Sequence, residues 1–339
     1  MSQGKRLVLL LSLLAIFALV MAGCEEPSKS VFNPKGSAGE QNLDLIMVSV
    51  YIMAFVCVVV MAIYFYVLIR YRQKPGDNSI PKQVEGSMKL EMLWIIVPII
   101  LLVILAVPTL TSTFTLAEKP TKDEDAVRVK VTAHQYWWEF DYPELGIKTS
   151  QEMHIPVGKR VYLELTSDDV VHSFWVPELG GKQDTVPGRT NHMWMDAKEP
   201  GTYAGRCAEL CGASHALMNF EVVADQPDDF DKWVAKRQKP SSEPKTAEQK
   251  AGKKVFSQNC MSCHAIEGTE LKTSGGKGPD LTGLGERQKI AGLLDNNDKN
   301  LDKWLKHPDE IKPGTYMPSF DFLSKKDMKN LKVYLESLE

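Results

Sequence analysis

The chain has 339 residues, with 40 Lys and Arg against 43 Asp and Glu, a net charge of −3. That length exceeds one small domain and fits two with attachments, and so balanced a charge gives no basis for nucleic-acid binding. Six cysteines would suit a disulfide framework by number, but Cys24 and Cys57 sit in or beside apolar runs and the other four form tight pairs, Cys207/Cys211 and Cys260/Cys263, a spacing used for ligand and cofactor sites.

Residues 1–23 read as a secretion signal: Lys5 and Arg6 give the positive start and Leu7 to Met21 an apolar core too short for a comfortable span. Met21-Ala22-Gly23-Cys24 resembles the bacterial lipoprotein cleavage box, with Met21 where Leu is usual. The resemblance implies a lipid on Cys24; ordinary cleavage or an uncleaved anchor are the alternatives. The segment 24–117 then carries two apolar stretches of membrane-spanning length, about 45–69 and 92–114. The second runs on through its threonines, since Thr can bond its own helix backbone. Between them Arg70, Arg72, Lys74, Lys82 and Lys89 outnumber Asp77 and Glu85, which puts the loop in the cytoplasm and everything after residue 117 outside. Glu91, at the cytoplasmic start of the second span, is a functional candidate because an acid bordering a membrane span is costly; an interfacial charge reaching water is the bland alternative.

Residues 118–125 are a polar linker. From Ala126 the pattern becomes β: Val127, Val129 and Val131 alternate with polar residues, as do Val161, Leu163 and Leu165, and Pro/Gly pairs punctuate the runs. This predicts an all-β antiparallel sandwich or barrel over 118–238. A Pro/Ser linker follows at 239–247, and residues 248–339 read as an all-α domain. Its last helix sets Met328, Leu331, Leu335 and Leu338 on one face, with Ser324 and Asp327 as capping pair.

Two ligand constellations stand out. The first is Cys207-Ala208-Glu209-Leu210-Cys211-Gly212-Ala213-Ser214-His215-Ala216-Leu217-Met218, with His172 upstream. Two thiolates, two imidazoles and a thioether are soft ligands that suit copper. A second Cys four positions on lets two sulfurs bridge two metals, with the Glu209 carbonyl in reach. Zinc leaves Met218 without a role, and its usual paired spacing is absent. The second is Cys260-Met261-Ser262-Cys263-His264, the C-x-x-C-H attachment motif of c-type haem, with His264 as axial ligand. A sixth ligand must come from the C-terminal half; Met317, Met328 and His307 are the candidates.

The C-x-E-x-C-x3-H-x2-M run, with Asp169-Val170-Val171-His172-Ser173, Val186-Pro187-Gly188-Arg189 and Pro200-Gly201-Thr202-Tyr203, resembles the CuA region of cytochrome c oxidase subunit II, over residues 40–225 including both spans. The resemblance implies a cupredoxin sandwich. Cys207 and Cys211 would bridge two coppers, completed by His172, Met218, His215 and the carbonyl of Glu209. The Glu209 side chain would also hold a magnesium shared with subunit I. It places Tyr136-Trp137-Trp138 at the electron-input patch, although the family order is Trp-Tyr-Trp and this chain has Tyr first; packing aromatics are the alternative. It makes Glu91 the mouth of a proton channel. Tyr316-Met317-Pro318 resembles the ligand loop of bacterial cytochromes c, favouring Met317. Gly278-Pro279-Asp280-Leu281 resembles their loop beside the proximal His, with the Pro279 carbonyl orienting His264.

The expectation is a multidomain chain: a transmembrane hairpin, a cupredoxin domain and a cytochrome c domain. It would pass electrons from cytochrome c or another external donor, through covalent haem c and CuA, to haem a in subunit I. Further oxidase subunits and a bacterial plasma membrane would surround it. Competing readings are a tethered relay to another acceptor, a copper-storage lipoprotein, which would need no haem, a quinol oxidase subunit, which lacks the copper ligands, and nitrous oxide reductase, which needs more histidines than the seven present.

Overall fold

The computed structural model describes residues 11–12, 15–16 and 30–339, apart from 74, 77–79, 81–82, 84, 119–125, 240–242, 268 and 271–276. The expected lipid site Cys24 lies outside the described residues, as does most of the expected linker at 118–125. The two apolar stretches form long helices, α1 (Ser37–Arg70) and α2 (Met88–Leu116), packed along one another. Both are long and apolar enough to cross a membrane, and their large side chains face outward, Ile69 at 78% and Phe114 at 76% exposure. Helix α1 starts at Ser37, earlier than the apolar pattern that begins near residue 45. The extension is held from outside: Asp196 accepts from the Ser37 N–H at 2.6 Å and from its hydroxyl at 2.7 Å, satisfying donors that a helix start leaves open. In α2 the hydroxyls of Thr109, Thr111, Thr113 and Thr115 donate to the carbonyls four residues back, at 2.7–3.1 Å. Those bonds keep polar side chains satisfied in an apolar setting, as the sequence led us to expect.

The β region folds as two five-stranded sheets. One runs β3 (Ile147–Ser150), β2 (Trp137–Tyr142), β1 (Val127–His134), β5 (Val161–Ser167), β8 (Asn191–Met195). The other runs β4 (Glu152–Pro156), β10 (Asn219–Asp225), β9 (Gly201–Cys207), β6 (His172–Trp175), β7 (Lys182–Thr185). The expectation of purely antiparallel sheets is corrected: β1 pairs with β5, and β10 with β4, in parallel. Each parallel partner is reached by a long excursion, and alternation of side chains reports burial, not strand direction. The sheets close on an aromatic core: Trp138 lies 5.3 Å from Phe220, and Phe174 4.6 Å from Phe220, centroid to centroid. Trp194 ties the sandwich to the membrane end by donating from Nε1 to the Thr115 carbonyl at 3.1 Å.

Helix α3 (Pro227–Arg237) closes the sandwich. The last domain holds α4 (Ala247–Asn259), a two-residue hairpin β11 (Lys289–Ile290) with β12 (Leu294–Asp295), α5 (Asp298–Lys306), the short α6 (Pro308–Ile311) and α7 (Lys325–Glu336). Thr246 and Gln249 cap α4 reciprocally, and Ser324 caps α7 through the Asp327 N–H at 3.1 Å. Helices α4 and α7 cross at Gly252, where an added Cβ would lie 2.1 Å from the Asn330 carbonyl.

Candidate metal centres

The first constellation is assembled by the second sheet. Strand β9 ends at Cys207 and β10 begins just beyond Met218, so the ladder that pairs Arg206 with Asn219 pinches the intervening loop at its stem. The Cys207 N–H donates to the Met218 carbonyl at 3.0 Å, and the Ala208 N–H to Ser173 at 2.9 Å. The second bond brings in β6, whose first residue is His172. The two sulfurs lie 3.8 Å apart. Cys207 Sγ is 3.9 Å from His172 Nδ1 and 3.2 Å from the Glu209 carbonyl oxygen; Cys211 Sγ is 3.8 Å from both His215 Nδ1 and Met218 Sδ. All six sequence-predicted ligands thus lie around the paired sulfurs. His172, Cys207 and Cys211 alone offer atoms within 4.8 Å of one another.

The thiols titrate as a pair. The hydrogen bond from Cys211 holds Cys207 down to about 3, while the same contact pushes Cys211 up. A lowered and a raised thiol side by side share one negative charge, which a bound cation would stabilise. Asp169 takes the remaining imidazole nitrogen of His172, Nε2, at 2.7 Å, turning Nδ1 toward the sulfurs. Its other oxygen accepts from the Gln135 N–H at 2.6 Å, and Gln135 Nε2 donates to the Cys211 carbonyl at 2.6 Å. Asp169 stands three residues before His172, a spacing that could have flagged it; Gln135 carries no sequence signal.

The second constellation lines a cavity of about 330 Å³. Cys260 ends α4, and the next turn brings Cys263 and His264 to the same wall. His264 Nδ1 bonds the Pro279 carbonyl at 2.8 Å, so Nε2 is left for the cavity. Burial holds this imidazole below its ordinary pKa and hence neutral, as a metal ligand must be. Gly278 is required there, because a Cβ would lie 2.7 Å from the ring. Met317 lines the same cavity. Its rivals are placed elsewhere: Met328 is core at 4% exposure, and His307 sits near the surface, 3.4 Å from Glu310. Two thiols, a neutral imidazole and a thioether around one cavity fit a haem attached at Cys260 and Cys263.

Comparison with known proteins follows the same division. Residues 27–111 match the family of cytochrome C oxidase subunit II, transmembrane domain, residues 145–225 its periplasmic domain, and residues 249–339 the cytochrome c family. The chain is 47% identical over 331 residues to cytochrome c oxidase subunit 2 of Alkalihalophilus pseudofirmus, covering 96% of each. The chain belongs to the cytochrome c oxidase subunit II family. The subunit 2 of Bacillus subtilis is 41% identical over 97% of both chains. Quinol oxidase subunit 2 of Bacillus anthracis is 35% identical but covers only 71% of this chain and 83% of its own. This subunit II is therefore a component of the oxidase enzyme. It joins a membrane-anchored copper-type β domain to a haem-type helical one.

The aromatic run of subunit II divides by side. Trp138 points into the sandwich core at 0% exposure, edge-on to His172 with centroids 6.1 Å apart. Trp137 stacks on His134 at 4.1 Å and lines the haem cavity. Tyr136 lines that cavity as well, and its hydroxyl accepts from the Ala213 N–H at 3.1 Å, inside the copper loop. Glu91 lies in the first turn of α2, half-buried, near Gly86.

The two redox domains share a seam. Ser214, next to His215, donates to the Pro313 carbonyl at 2.6 Å, and Lys312 Nζ donates to the Tyr136 carbonyl at 2.6 Å. Arg287 donates to the Ser150 hydroxyl at 2.9 Å, and the Gln288 N–H to Glu152 at 3.1 Å. Arg237 and Lys236 of α3 both pair with Glu286. None of these pairs was legible in the sequence.

Proposed function

We propose that this chain is the electron-input arm of a respiratory haem–copper oxidase. Electrons from cytochrome c or another external donor would pass through covalent haem c and dinuclear CuA to haem a in subunit I, where oxygen is reduced to water and protons are translocated. The two cofactors supply one-electron redox chemistry; the chain binds, orients and shields them. Cys260 and Cys263 would hold the haem, with His264, oriented by the Pro279 carbonyl, and Met317 as the residues that would ligate its iron. Cys207 and Cys211, with His172, His215, Met218 and the Glu209 carbonyl, would hold the coppers. The Glu209 side chain is exposed and would hold magnesium shared with subunit I. The arrangement belongs on the extracytoplasmic face of a bacterial plasma membrane, with Cys24 as lipid anchor and Glu91 at the opposite, proton-loading side.

The observation that carries this reading is the Ser214–Pro313 hydrogen bond. It joins the copper loop, one residue from His215, to the haem loop, four residues from Met317. A chain that packs the two ligand loops together is built to pass electrons between them. Metal analysis with visible and EPR spectra of the purified chain tests it. Two coppers sharing one unpaired electron and one covalent low-spin haem are expected; a chain holding zinc, or a haem that extracts into acid acetone, would refute it.

A further inference from the structure

Lys312 is 3% exposed, yet its ammonium meets only two neutral partners, the carbonyls of Tyr136 at 2.6 Å and Ala291 at 2.9 Å. Among the described residues no carboxylate answers it; burial pushes it down to about 7, with the Cys211 thiol the charged group that opposes the shift. A buried ammonium with no carboxylate bonded to it is costly, and this one belongs to the lining of the haem cavity. Gln151 of the copper domain lines the same cavity. It is 6% exposed and holds a positive φ of 65°, a left-handed conformation that is strained for a non-glycine residue. The sandwich fixes it at three points: its N–H donates to the Trp138 carbonyl at 3.0 Å, its carbonyl accepts from the Glu221 N–H at 2.9 Å, and Oε1 accepts from the Trp138 N–H at 2.9 Å. The last bond sets the amide orientation, so Nε2 is the donor left over, buried and without a partner. Such a strained, pinned donor marks a functional position.

A haem carries two carboxylates, and Lys312, with no carboxylate bonded to it, and Gln151, with its amide donor unpartnered, both belong to the lining of the cavity assigned to it. We infer that Lys312 and Gln151 together seat a haem carboxylate, so that the haem of the helical domain is held in part by the copper domain. Lys312 belongs to the helical domain and Gln151 to the copper domain, so a carboxylate bound by both would tie the two domains together. This rests on the haem reading given above. It makes Gln151 a positioning residue for a cofactor anchored more than a hundred positions away in sequence.

The test uses the full-length chain with its copper and haem. Lys312→Met leaves the carboxylate charge unanswered and favours ferric iron; a tenfold shift in the ferrous/ferric equilibrium is expected, a potential lowered by about 59 mV. Lys312→Arg should restore most of it. Gln151→Leu should shift the equilibrium about threefold in the same direction, and both Lys312→Met and Gln151→Leu should move the haem-propionate bending band in resonance Raman spectra. If the parent binds no haem, the functional reading itself fails. Haem content equal to the parent with an unmoved Raman band in Lys312→Met overturns this inference alone. A response to Lys312→Met with none to Gln151→Leu overturns the two-domain seat.

Discussion

Severing the cytochrome domain should convert electron input from a first-order into a second-order process. Helix α3 ends at Arg237 and α4 begins at Ala247, so the connection is residues 238–246. A linker of nine residues spans about 15–18 Å root-mean-square by chain statistics, and a short tether of this length gives an effective concentration on the order of 1 mM. Removing residues 246–339 and supplying the same domain, or a soluble cytochrome c, at about 10 μM should slow electron input about 100-fold. The rate should rise linearly with the added protein. It should also become salt-dependent. Residues 117–238 carry fourteen basic and twenty-one acidic side chains, seven negative charges in excess, which steer a cationic partner at low ionic strength and lose reach as the screening length falls from about 10 Å at 0.1 M to about 3 Å at 1 M. The intact chain, whose domains already touch through Ser214 and Lys312, should respond weakly to both variables. Stopped-flow reduction of the copper centre and steady-state oxygen uptake read the effect. Full turnover of the truncated enzyme with no added mediator would refute the reasoning.

Cys207→Ser should abolish the dinuclear copper EPR signal while leaving haem attached, because the two sites use separate ligand sets; loss of haem as well, in a folded protein, counts against that separation. Met317→Ala should keep the haem covalent but change its spin state and lower its potential, since Met ligation favours reduced iron; an unchanged spectrum passes the axial role to Met328 or His307. His154 lies 2.7 Å from Asp225 and 3.0 Å from Glu152; burial lowers its pKa, but the two carboxylates outweigh burial and raise it above 6.5. Its contribution is therefore complete below the unfolded value and lost as pH rises through the higher folded value. His154→Gln should cost about 2 kcal/mol near pH 6 and less at alkaline pH in thermal melts, and a pH-independent loss would contradict the linkage. Glu91→Gln should slow oxygen reduction while copper and haem still reduce at parental rates in rapid-mixing spectra; normal turnover with normal assembly would leave Glu91 an interfacial charge.

The sequence by itself determined what is local. A membrane span is a run of apolar residues, a strand of the sandwich an alternation, and an α7-type helix a 3.6-residue stripe, because each reports burial at its own period. Five of the six copper ligands fall within residues 207–218, and C-x-x-C-H is contiguous, so ligand spacing alone exposed both centres. Tertiary structure decided what depends on which distant surfaces meet. His172 joins the copper loop only because β6 pairs with β9. The run Tyr136-Trp137-Trp138 looks uniform as sequence, yet strand geometry sends Trp138 into the core while Tyr136 and Trp137 face the haem cavity. The apolar span does not mark the start of α1, because Asp196, 159 positions away, caps the helix at Ser37. Lys312 and Tyr136, 176 positions apart, and the leftover donor of Gln151 leave no trace in periodicity or spacing. Docking of two domains is set by the complementarity of finished surfaces, and no local pattern encodes that before both have folded.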